Sequence, residues 1–179
     1  MRIAFTTHRM SLSQSLEVDR RGLLLEIRSQ FSLDWNGHHG GHHWGRVRQH
    51  GLTIARRRGA DLLVVELFAF LHDSQRADEF GDPGHGERGA EYARSLQGRY
   101  FNLSGDQLYQ LTRAIQHHSG GQKSTNATIQ SCWDADRLDL GRVGIRPHPQ
   151  YLSPEGGRYI ESAYRWSRGS PRRDLNWPT

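Results

Sequence analysis

Apolar and histidine positions recur at helical spacing through the middle of the chain. His43, Val47, His50 and Ile54 share one face, which predicts a helix of about four turns ending near Gly59. The run Ala60 to His72 follows, with Asp61 placed to cap it. Leu62, Leu63, Val64, Val65, Leu67, Phe68, Phe70 and Leu71 cover nearly every side, the pattern of a central buried helix. Its length favours helix over strand despite the branched residues. His85, Gly89, Ala93 and Leu96 line a third helix, where the two small residues admit a close neighbour. Ser104 with Gln107 forms a capping-box signature, and Leu108, Leu111, Ile115 and His118 continue as one stripe. On Thr128 to Leu140, closed by Gly141, the stripe is Ile129, Cys132, Trp133, Asp136 and Leu140.

The ends read less clearly. Met1 to Thr7 suits a short extended segment, and Ser11 to Phe31 a helix interrupted at Gly22 with Leu16, Leu23, Leu24, Ile27 and Phe31 inward. Ser153-Pro154-Glu155 starts a last helix with Ile160, Ala163 and Tyr164 inward, and the polar, basic tail after Arg168 is expected to be mobile. The expected fold is an all-α helical bundle around the helix that ends in His72-Asp73. At 179 residues the chain fits a single domain, residues 1–179, with a helical segment at 1–37 and a helix and tail at 150–179.

Composition narrows the chemistry. One cysteine, Cys132, rules out an internal disulfide and an all-cysteine zinc site, so histidine, present eleven times, must supply any metal site. No stretch approaches the ~18 to 20 apolar residues of a membrane span, and the first residues lack a signal-peptide apolar region, so a cytoplasmic, membrane-free location is expected. The formal charge of +5 permits anionic partners, from nucleotides to nucleic acid. Arg56-Arg57-Arg58, just before Gly59, complements the dipole of a helix end.

Ionisable residues on buried sides need partners, because an unpaired charge in an apolar surround costs several kcal/mol. His43, His85, His118 and Asp136 each lie on the inward side of a separate predicted helix, and His72-Asp73 ends the central one. Four histidines and two carboxylates in such positions point to a divalent metal. His117 is turned ~100° from His118, and Asp134 ~200° from Asp136. His50 shares the face of His43 but sits about 10 Å along the helix, too far to ligate the same ion, and is expected to pack. His38, His39 and His42, in the glycine-rich GHHGGHH segment, are expected to be solvated in a flexible loop. Gln122-Lys123-Ser124 lacks the glycine that a phosphate loop needs before its lysine.

The arrangement of His43 in HHWGRV, His72-Asp73 in FLHDSQR, His85 in HGERGA, His118 in IQHHS and Asp136 in WDADRLD resembles the HD-domain superfamily of metal-dependent phosphohydrolases, over roughly His38 to Gly141. The resemblance implies that His43, His72, Asp73 and Asp136 are metal ligands, and that His85 and His118 match the extra histidines of members that hold two ions. Mn, Fe, Co, Ni and Zn all suit such donors. It also implies a hydrolase for a nucleotide or another small phosphate ester. Asp73 would ligate and orient water, His117 is a candidate proton donor, and Arg76, Lys123 and Arg137 are candidate phosphate partners. No glutamate follows His72-Asp73 in the place where some nucleotidases and guanosine-tetraphosphate hydrolases put a catalytic acid, and the Gly-Tyr-Pro extension of cyclic-di-GMP phosphodiesterases is missing, which argues against those specific activities. Two other readings remain, a di-iron oxygenase of the HD-like type and a non-catalytic metal-binding regulatory module; the sequence does not set the oligomeric state.

The register of the Asp136 helix is directly testable. Asp73→Ala and Asp136→Ala are each expected to abolish metal content and activity, whereas Asp134→Ala keeps its metal. Elemental analysis of the three purified variants distinguishes this from the opposite register.

Overall fold

A computed structural model describes residues 18–169. The Met1 to Thr7 segment, Leu16 and the tail beyond residue 169 lie outside the described residues. Eight α-helices carry the described chain: α1 Arg20–Gln30, α2 Gly41–Arg58, α3 Leu62–Leu71, α4 His85–Leu96, α5 Gly105–His117, α6 Ala127–Leu138, α7 Pro154–Gly157 and α8 Ile160–Gly169. Short 3-10 turns at His118–Gly120, Asp139–Val143 and Pro149–Tyr151 complete them. The fold is all-α, and among the described residues the one bridge, Gln97 to Phe101, is isolated.

Helix α3 is the centre. Val64, Val65, Leu67, Phe68, Phe70 and Leu71 are buried, each burial favouring the folded chain by about 1.5–3 kcal/mol. Glu66 is buried among them because Arg20 of α1 and Arg48 of α2 hold its two oxygens at 2.7 and 2.6 Å. Asp61 caps α3 through the backbone N–H groups of Leu63 and Val64, and its other oxygen accepts from Gln107, the capping-box residue of α5. One carboxylate thus ties the starts of two helices. Helix α4 comes close to α5 because Gly86 and Gly89 present no Cβ; one added at Gly86 would stand 2.7 Å from the Gln116 carbonyl oxygen. No helix among the described residues is long and apolar enough to cross a membrane.

Four expectations are corrected. Helix α1 is not broken at Gly22: it starts at Arg20, and the Gly22 N–H bonds the Asp19 cap at 2.8 Å, so the glycine belongs to the first turn. The Asp136 helix stops at Leu138, two residues before the expected end, and the tighter Asp139–Val143 turn follows, which points the Asp139 carboxylate inward. The last helix is two, α7 and α8. His39 is not solvated: it is buried, with Nδ1 2.6 Å from the Glu79 carboxylate.

Asp134, on the side of α6 away from Asp136, is itself fully buried. It accepts from the Ser153 N–H at 3.0 Å, from the Ser153 hydroxyl and from Gln130 at 2.7 Å, and Arg58 stands 3.6 Å away. Gly156 packs onto it, where a Cβ would come within 2.7 Å. Its carboxylate therefore fastens α7 to α6. Asp134→Ala should destabilise the fold by about 3 kcal/mol, by orphaning these donors, as measured by urea unfolding.

Candidate metal centre

Helix ends deliver the site. His43 lies in the first turn of α2, His72 caps α3 with Asp73 next, His85 opens α4, His118 follows α5, and Asp136 stands in the last turn of α6. His43, His72, Asp73, His85 and His118 are buried, and the Asp136 side chain keeps 13% of its exposure at a cavity wall.

Hydrogen bonds at Nδ1 set the four rings. His72 Nδ1 meets the Phe68 carbonyl at 3.2 Å, His118 Nδ1 the Ile115 carbonyl at 2.7 Å, and His85 Nδ1 the Asp82 carbonyl. His43 Nδ1 lies 2.7 Å from Asp139, whose two oxygens also take Arg46 at 2.6 and 3.0 Å. Carbonyl and carboxylate oxygens only accept, so each Nδ1 is a donor and each neutral ring presents a bare Nε2 lone pair. Phe68 stacks on His72 with centroids 4.9 Å apart, fixing that ring.

The four Nε2 atoms converge in pairs on the two oxygens of Asp73. His43 and His72 have Nε2 atoms 3.0 Å apart, at 3.6 and 3.5 Å from Asp73 Oδ2. His85 and His118 have theirs 3.0 Å apart, each 3.5 Å from Asp73 Oδ1. Asp136 joins the first pair, with Oδ1 3.4 Å from His43 and 3.8 Å from His72. Facing lone pairs and carboxylates repel unless a cation lies between them. Two nitrogens each ~2.1 Å from one ion at a right angle would be about 3 Å apart, so the donor spacing fits a metal. His43, His72 and Asp73 form one group able to hold an ion, and Asp73, His85 and His118 another.

The two groups differ in what already neutralises them. Arg76 Nη1 stands 3.2 Å from His85 Nε2 and 3.5 Å from Asp73 Oδ1, so a guanidinium serves the second group. Among the described residues no guanidinium hydrogen-bonds to the side chains of His43, His72 and Asp136 or to Asp73 Oδ2, and the carboxylates there instead favour a proton on His43. Burial and Arg142 lower the His43 pKa, but the bonds to Asp136, Asp139 and Asp73 outweigh them and raise it to about 9. Burial pushes His72 down to about 3, keeping it neutral. Burial opposes ionisation of Asp73 and Asp136, yet the surrounding histidines hold both below the usual carboxylate range.

A cavity of ≈ 340 Å³ opens beside Asp73, His118 and Asp136, with Arg76, Arg137, Arg142, His148 and Tyr151 among its walls. The arginines are engaged unequally. Arg137 spends both terminal nitrogens on the Tyr151 and Gln122 carbonyls, at 2.6 Å each, and stacks over Trp133. It is buried by these contacts, which makes it a brace of the wall. Lys123 is exposed in the loop before α6 and is not a wall residue of this cavity. His117 is turned away from the cluster, and its Nε2 faces Arg113 one turn earlier on α5. His50 is buried against Trp166, with centroids 5.1 Å apart.

Asp139, Arg46 and Arg142 were not among the sequence candidates. The Asp139 position carried a faint signal, a second acid one turn after Asp136. Removing the Asp139 carboxylate should free the His43 ring and weaken metal binding by roughly 10–100-fold. Metal titration of Asp139→Ala, alongside circular dichroism to show the helices intact, measures this.

No protein-family model matches the sequence, and no curated protein matches it. Among solved structures the chain is similar to the crystal structure of a predicted HD superfamily hydrolase from an uncultured Thermotogales bacterium. The two are 27% identical, the match covers 82% of this chain and 85% of that one, and the TM-score is 0.63. In helical order and in the placing of its histidines and aspartates the chain is thus similar to that HD superfamily hydrolase.

Proposed function

We propose that the protein is a metal-dependent phosphohydrolase acting on a nucleotide or another small phosphate ester. The observation that carries this reading is the convergence of four imidazole Nε2 atoms on the two oxygens of Asp73, beside a cavity walled by arginines. His43, His72, Asp73 and Asp136 would hold one ion, and Asp73, His85 and His118 a second; the likeness to an HD superfamily hydrolase supports the same assignment.

A bound divalent ion supplies Lewis acidity, lowering the pKa of water toward ~7 and polarising a phosphoryl oxygen. The chain's own residues do the rest. Asp73, ionised and shared by both groups, orients the attacking water along the cavity and accepts a hydrogen bond from it. Arg76, at the mouth of the second group, balances negative charge on the phosphoryl oxygens. The water oxygen bonds to phosphorus as the ester P–O bond breaks, and the proton that the water sheds passes through the solvent of the cavity to the leaving alkoxide. Tyr151 and His148, whose ring centroids are 6.1 Å apart, form the cavity wall that a flat leaving group would meet. The cavity suits a compact ester better than an extended polyphosphate.

A donor set of four imidazoles and two carboxylates around one bridging Asp73 also suits a pair of irons that activate O₂. Metal analysis of the purified protein, followed by a screen of nucleoside monophosphates and simple phosphate esters with the ion found, separates the readings. We expect hydrolysis of at least one monoester and its loss, by roughly 10²–10⁴-fold, in Asp73→Asn. Two irons with a mixed-valent spectroscopic signal and no release of phosphate would favour the oxygenase.

A further inference from the structure

Of the three arginines on the cavity wall, Arg137 is consumed by two carbonyls and an indole, and Arg76 is paired with Asp73. Arg142 is different. Its Nε donates to the His38 carbonyl at 2.9 Å and its Nη1 to the Asp139 carbonyl at 3.3 Å. Like Arg137 it is held by neutral carbonyls and, among the described residues, makes no ion pair, but its Nη2 makes no hydrogen bond and no ring stacks on it. The two tethers join the segment before α2 to the turn after α6, and so hold the guanidinium at the cavity on the His43 and Asp136 side. Its charge is felt by His39, His43, Asp136 and Asp139. A guanidinium fixed in place near carboxylates but in ion pair with none of them is placed to receive a further anion, and its planar fork suits a phosphate.

We propose that Arg142 anchors the terminal phosphoryl group of the substrate and thereby selects phosphomonoesters over diesters. The proposal rests on the phosphohydrolase reading of the neighbouring groups. A monoester carries three non-bridging oxygens and up to two charges, enough to meet both metal groups and still reach Arg142. A diester offers two such oxygens and one charge, and leaves the guanidinium unmatched. The ≈ 340 Å³ cavity adds a size limit in the same direction, since a second ester substituent competes for the same volume.

The test uses the Mn²⁺-loaded full chain, as wild type, Arg142→Gln and Arg142→Lys. Inorganic phosphate binding is measured by calorimetry, and p-nitrophenyl phosphate and bis(p-nitrophenyl) phosphate serve as monoester and diester probes. Arg142→Gln should weaken phosphate binding at least tenfold and raise the monoester KM by a similar factor with a smaller change in kcat. Arg142→Lys should recover part of the phosphate affinity, and Mn²⁺ stoichiometry should match wild type in both. The anchor is overturned, with the hydrolase reading intact, if wild type cleaves the monoester and Arg142→Gln binds phosphate equally well. It is also overturned if the diester is the better wild-type substrate, or if both variants lose Mn²⁺, which would make Arg142 a brace of the site. A wild-type protein that binds Mn²⁺ but neither binds phosphate nor cleaves either ester would defeat the hydrolase reading itself.

Discussion

Four histidine rings in this protein each give their Nδ1 proton to an oxygen that can only accept, and that constraint organises the site. With those protons committed, the opposite nitrogens are the ones left to take a cation, whether a proton, as on His43, or a metal, and they are packed in pairs 3.0 Å apart around one aspartate. A hydrophobic bundle would not hold such an array for stability alone, since each buried acceptor without a donor costs about 1–3 kcal/mol. The cost is tolerable when a cation occupies the array. The division of labour between Asp73 oxygens, one for each pair, then makes this residue the hinge of the chemistry and not merely another ligand.

The fold serves the array through helix ends. Side chains at the termini of α2, α3, α4, α5 and α6 meet where backbone carbonyls of the last turns can receive Nδ1 protons, as that of Ile115 does and as that of Phe68 does alongside the His72 N–H. The buried middle of α3 keeps the central terminus rigid, and the Asp61 carboxylate shared between the starts of α3 and α5 sets their relative height. Because every donor sits on a separate element, no local stretch of chain can assemble the site. It exists only when the bundle is closed.

Much of this was legible in the sequence because helical periodicity tells which way a residue faces. The stripes chose His118 over His117 and set Asp136 apart from Asp134, and the capping box of α5 and the Asp61 cap of α3 were readable as local patterns. What escaped was decided at long range or by irregular backbone. Asp139 turns inward only because α6 gives way to a tighter turn at that residue, and its partners, His43 and Arg46, lie nearly a hundred positions earlier. His39 looked like part of a solvated loop because its partner Glu79 lies in a different one. Arg137 and Arg142 are alike in composition; only the carbonyls that engage them tell the brace from the open guanidinium. Periodicity also registers direction but not depth, which is why Asp134, correctly turned from the cluster, proved as buried as the residues within it.

The claim at the centre of this account is that cations occupy the spaces between the paired imidazoles. Anomalous diffraction from crystals grown with Mn²⁺ tests it most directly. The account predicts a strong anomalous peak bounded by His43, His72, Asp73 and Asp136, and a second, weaker one where Asp73 faces His85 and His118. Featureless density in both places, with ordered water or the imidazoles bonded to each other and manganese bound elsewhere or not at all, would contradict it.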